Sequence, residues 1–112
     1  MLQTQIIFFI FFSLNLLSGS PVTEKKKPSI NEIVKLTKQA SQYLKEFNYE
    51  KSFATSRQAL QYAIEANDDV LIAKSYNTIA GNYDELSDYD KAIFFYKKGL
   101  YYANKTSNDT VK

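Results

Sequence analysis

Laid over itself so that Ile33–Ile72 stands above Ala73–Lys112, the chain matches its own sequence without a gap. The identical pairs are Ala40/Ala80, Tyr43/Tyr83, Tyr49/Tyr89, Lys51/Lys91, Leu60/Leu100, Tyr62/Tyr102, Ala63/Ala103 and Asp69/Asp109. Most are small or aromatic residues at helical spacing. A self-match at a period of roughly 20 to 50 residues marks stacked supersecondary units, none of which buries its apolar face alone. The fold class predicted is therefore all-α, two antiparallel helix pairs forming a fragment of an α-solenoid. Such a fold mostly presents a surface.

Apolar periodicity divides each unit into two helices. Ser29-x-x-Glu32 is a capping box, and Ile33, Leu36, Ala40, Tyr43, Leu44 and Phe47 follow at steps of three and four. Asn48 is placed to cap a second helix, with a stripe of Phe53, Ala59 or Leu60, Ala63 and Ile64. Asn67-Asp68-Asp69 marks the next break, and Leu71, Ile72, Tyr76, Ile79, Ala80, Tyr83 and Leu86 carry a third helix. Ser87-Asp88 opens the fourth, which carries Tyr89, Ala92, Ile93, Tyr96, Leu100 and Ala103. Ser107-Asn108-Asp109-Thr110 repeats the Asn67 break one period on, so a further break is expected there.

Met1–Ser20 has no charged side chain, and Ile6–Leu17 is an almost unbroken apolar run. Twelve helical residues span roughly 18 Å, short of a hydrocarbon core of about 30 Å. That length suits a secretory signal, with Ser18-Gly19-Ser20 as the cleavage region. Residues 1–20 are thus assigned as signal peptide, 21–28 as linker and 29–112 as the repeat domain, with repeats over about 29–67 and 68–107. The expected location is exported, periplasmic or secreted; an uncleaved segment would instead anchor the chain to a membrane. In the linker, Lys25-Lys26-Lys27 reads chiefly as a solvated spacer and secondarily as a contact for anionic lipid.

At Tyr76 the pattern becomes specific. Tyr76-x-x-Ile79-Ala80-x-x-Tyr83 followed by Ala92-x-x-x-Tyr96, with Tyr89 opening the second helix and Gly99-Leu100 as a small-apolar pair, resembles the tetratricopeptide repeat (TPR). Asn104 stands where that family usually has proline. In the first repeat Tyr49, Ala59 and Leu60 agree, while Gln39 replaces a leucine and Ser52-x-x-x-Ser56 replaces the alanine-to-aromatic pair. The resemblance covers Ser29 to about Thr106. It implies that Ala40, Tyr43, Tyr76, Ala80, Tyr83, Tyr89, Ala92 and Tyr96 pack the repeats. The period here is longer than that of the usual TPR, which puts extra residues around Ala66–Leu71 and lengthens the helices there. The layout of an export signal before long repeats also resembles the N-terminal sensing region of bacterial regulators, of which this chain would be a truncated piece.

The resemblance further implies peptide binding on the face lined by the first helix of each repeat. The matching positions are Val34, Thr37, Ser41, Leu44 and Lys45, then Lys74, Asn77, Gly81, Asp84 and Glu85. Asn77 would bond a peptide backbone and Gly81 would let it approach. Thr37 and Ser41 stand where chaperone-tail binders carry Lys and Asn, which disfavours that ligand. Asp84, Glu85, Asp88 and Asp90 lack the alternation and central glycine of a calcium loop, and helix capping accounts for Asp88 and Asp90. No cofactor, metal or enzymatic function is expected: the chain has no His, no Cys and three glycines. A net charge of +2 argues against nucleic-acid binding. The expected partner is a protein or peptide, with a homodimer through Ile93, Tyr96, Leu100 and Tyr101 of the fourth helix as a further expectation.

Overall fold

The computed structural model describes residues 26–111, with side chains described for 26–107. Met1–Ser20, assigned above as a signal, lies outside the described residues. Four helices follow in chain order: α1 (Ile30–Lys45), α2 (Tyr49–Glu65), α3 (Asp69–Glu85) and α4 (Tyr89–Val111). The described residues contain no strand.

The three connections share one design. Phe47, Asn67 and Ser87 hold the same place in successive turns and adopt left-handed backbone, with φ of 61°, 57° and 62°. Each donates its N–H three residues back, and the next residue's N–H reaches five back, as in Asn48 to Tyr43 O at 2.8 Å and Asp88 to Tyr83 O at 2.8 Å. This is the Schellman ending, which satisfies carbonyls that the helix end leaves bare. The residue that completes it also caps the following helix. Asn48, Asp68 and Asp88 accept from the N–H of Lys51, Leu71 and Lys91 through Oδ1. So short a connection reverses the chain at once, and neighbouring helices are forced antiparallel and close. At the start of α1 the Ser29–Glu32 capping box forms in both directions, at 3.1 and 3.2 Å.

Packing then follows the repeat. Ala40, Ala59, Ala63, Ala80 and Ala92 are buried, which lets helix axes approach. Around them runs a ladder of rings across α2, α3 and α4. Phe53 meets Tyr83 edge-on at 4.9 Å, Tyr83 stacks on Phe95 at 5.5 Å, Phe95 lies 6.1 Å from Tyr76, and Tyr76 lies 5.9 Å from Tyr102. Each such pair adds about 0.5–1.5 kcal/mol beyond its buried area. Two of the identical columns form one repeated contact: Lys51 over the Tyr43 ring at 5.7 Å, and Lys91 over Tyr83 at 5.4 Å. Besides their sequence neighbours, α1 and α3 touch each other, whereas α2 and α4 do not. First helices thus line one side of the stack and second helices the other.

Three expectations change. The extra residues of the long period are not gathered at Ala66–Leu71. The α2–α3 turn is as short as the others, and α2 and α3 are both 17 residues long. The break expected at Ser107 is absent, and α4 runs 23 residues to Val111. There the Thr106 and Ser107 hydroxyls donate to the carbonyls of Tyr102 and Ala103, which lets polar side chains remain inside a helix. Finally, Tyr89 and Tyr96 do not fill the Ala80–Ala92 contact. They are 59% and 41% exposed. Phe95 and Tyr102 are the α4 rings that meet α3 instead, against Tyr83 and Tyr76, because α4 turns a face shifted by about a quarter turn toward α3.

Candidate interaction surfaces

On the α1/α3 side, the expected peptide positions separate into two groups. Lys45, Lys74, Asn77 and Asp84 are exposed, and Ser41 is half-buried. Thr37 is buried, with its hydroxyl donating to Val34 O at 2.7 Å, so it is a packing residue with no free donor. Gly81 serves the fold in another way than expected. A Cβ there would lie 2.7 Å from Leu44 Cδ2, so the close approach it permits is that of α1 to α3. Asn77 leans on α4: its Oδ1 would meet a Cβ at Gly99. The Tyr96 hydroxyl reaches back over this side. Its pKa is raised by partial burial and then by the carboxylates of Asp84 and Glu85. The Tyr76 phenol is also raised, by burial first and then by Tyr102.

Beneath this face lies a polar relay that sequence reasoning did not foresee. Asn82, fully buried, donates through Nδ2 to Ser52 Oγ at 2.7 Å and to Thr78 O at 2.9 Å. Ser52 donates in turn to Ala40 O at 2.9 Å. The relay joins α1, α2 and α3, and among the described residues the Asn82 Oδ1 has no hydrogen-bond partner. The available signal was the departure itself: serines stood where the repeat pattern has an alanine and an aromatic.

An exposed apolar seam lies on α4. Tyr89, Ile93, Tyr96 and Leu100 follow at steps of four, three and four and form one seam, at 59%, 52%, 41% and 59% exposure. Their counterparts one period earlier, Tyr49, Phe53, Ser56 and Leu60, are all buried or half-buried. At that position in the first repeat, α3 packs on α2. The α4 seam is thus the same helix-receiving face with no helix of the described chain upon it.

A family model described as Tetratricopeptide repeat matches residues 32–103, from the first turn of α1 to most of α4. The chain belongs to the tetratricopeptide repeat family. No curated protein and no solved structure gives a match. TPR repeats generally mediate protein–protein interaction and generally act as non-catalytic scaffolds. In TPR terms α1 and α3 are the first helices of the two repeats, and α2 and α4 the second. Of the acidic residues at the α3–α4 turn, Asp88 caps α4 and pairs with Lys91 at 3.5 Å. Among the described residues no group of three or more acidic side chains is placed to hold a metal ion. No described helix is long and apolar enough to cross a membrane.

Proposed function

We propose that this chain is an exported, non-catalytic interaction module whose principal contact is the open seam of α4, filled by α4 of a second copy. The observation that carries the reading is the register comparison. The α4 seam matches, one period on, the α2 face that receives α3, yet its four side chains stand 41–59% exposed. Its uncharged side chains repeat at alternating steps of four and three, the spacing by which two helices interlock along a seam. The α1/α3 side, with Lys45, Lys74 and Asp84, is the surface for a partner peptide. Export rests on the apolar run Ile6–Leu17 and the small residues that follow it.

A chain without cysteine offers a direct test. Tyr96→Cys in mid-seam gives a disulfide-linked dimer under mild oxidation, and Lys38→Cys on the exposed face of α1 does not. Equal cross-linking at both positions, or none at Tyr96→Cys, rejects the pairing. The same seam supports a second reading, in which it receives a following repeat and the chain is the leading portion of a bacterial sensor or transcriptional regulator. Under that reading Tyr96→Cys stays monomeric, and transcripts of the native locus extend in frame into further repeats.

A further inference from the structure

On the side of α4 away from the seam, Lys91, Phe94, Lys98, Tyr101 and Lys105 follow at alternating steps of three and four, and all five are exposed. They form one line about 21 Å long at about 1.5 Å per residue. The aromatic members are bare, Phe94 at 55% and Tyr101 at 63% exposure. Lys98 Nζ sits 5.0 Å from the Phe94 ring centre, and Lys105 Nζ 6.0 Å from that of Tyr102. A shallow cleft of about 410 Å³ lies along the line, between Phe94, Tyr101 and the stems of Lys97 and Lys98.

Repeat packing does not require this pattern. The positions one period earlier on α2 are Lys51, Ala54, Gln58, Gln61 and Glu65, with one lysine, one acid and no ring. The acids near the line sit at its ends, Asp88 at 3.5 Å from Lys91 in an exposed pair that holds little, and half-buried Asp69 at 3.9 Å from Lys105. Among the described residues neither Lys97 nor Lys98 forms an ion pair.

We infer that this line is a docking surface for an anionic lipid bilayer. Charge complementarity selects an anionic partner, and the bare Phe94 and Tyr101 rings between the lysines select the head-group layer of a bilayer. The line runs along the edge of α4 beside α3, with Lys91 over the Tyr83 ring at 5.4 Å, Lys98 over the Tyr76 ring at 5.8 Å and Lys105 beside Asp69, and its two bare rings face outward. Tyr and Phe settle at the head-group level, and lysine stems lie along apolar surface while the ammonium stays at the phosphates. The chain enters the fold at the end where the line finishes: Lys27 lies beside Glu65 and Ala66 at the α2–α3 turn, and Lys105 pairs with Asp69 just past it. The contact is peripheral, since no described helix is apolar enough to span. An acidic protein is the competing partner, and the test separates the two.

The test measures partition of the full chain onto phosphatidylcholine vesicles with and without one-third phosphatidylglycerol. The ratio of the two partition constants removes whatever the apolar Ile6–Leu17 run contributes equally to both. Each lysine at an anionic surface adds about fivefold to that ratio. The triple variant Lys91→Gln, Lys98→Gln, Lys105→Gln lowers it at least tenfold, and Phe94→Ala with Tyr101→Ala weakens binding to the anionic vesicles alone. All five side chains are exposed, and an unchanged helical circular dichroism spectrum verifies the fold. A ratio near one in the unsubstituted chain, or a ratio that survives the triple substitution, overturns the inference and leaves the line to an acidic protein.

Discussion

Single side chains set the stack by being small, or by being polar in the right place. Asn82 is the sharpest case, because it is fully buried and holds α3 to Ser52 of α2, which holds Ala40 of α1. Truncating it removes two hydrogen bonds and leaves a hole that the tight core cannot close. Asn82→Ala is expected to cost about 2–3 kcal/mol, read from urea melts. The relay was not legible in the sequence: Ser52 and Ser56 looked like lapses from an apolar pattern, and only a contact with Asn82 on the next helix makes Ser52 a partner. Alanines were legible, since Ala40, Ala80 and Ala92 sit at helical spacing and are all buried. Tyrosines were only half legible. Their spacing fits a helix face, but periodicity does not say which neighbour covers that face. Tyr43, Tyr76 and Tyr83 are half-buried, while Tyr89 and Tyr96 are exposed.

The phenols give the fold a pH limit. The pKa values of Tyr76 and Tyr96 are raised above the ordinary 10.0, chiefly by burial. A raised phenol keeps its proton longer in the folded chain than in the unfolded one. The stability it contributes is therefore fully present below about pH 10 and is lost as pH rises through the folded-state values. Thermal melts at neutral and mildly alkaline pH are expected to show no loss from these groups, with the midpoint falling only beyond the ordinary phenol range. Substituting Tyr76 or Tyr96 by Phe should remove a phenol that ionises above the ordinary 10.0 from the absorbance titration.

At the scale of the element, the helix boundaries follow from caps more than from propensity. Ser29, Asn48, Asp68 and Asp88 all accept N–H bonds at helix starts, and each was legible as a cap beside an apolar run. The partner feature was not legible, because Phe47 and Ser87 hold left-handed backbone that glycine usually supplies. Each non-glycine there costs on the order of 1 kcal/mol. Ser87→Gly is expected to stabilise the chain by about that amount, as a rise in the denaturation midpoint without change of slope. The absence of a break at Ser107 has the same origin. A hydroxyl can close a helix or bond inside it, and composition alone does not choose between those outcomes.

At the scale of the whole molecule, the two repeats leave one helix-receiving face with no described helix upon it, and the proposed assembly uses that face. The repeat architecture and its family were readable from the internal period and the Tyr76–Tyr96 pattern. The division of α4 into a buried side, an apolar seam and a lysine–aromatic line was not, because its rings are distributed over all three. Sedimentation equilibrium at tens of micromolar tests the pairing of this face most directly, comparing the chain with its Ile93→Glu, Leu100→Glu variant. A dimer mass for the first and a monomer mass of equal helical content for the second is the predicted result. A monomer in both would contradict it.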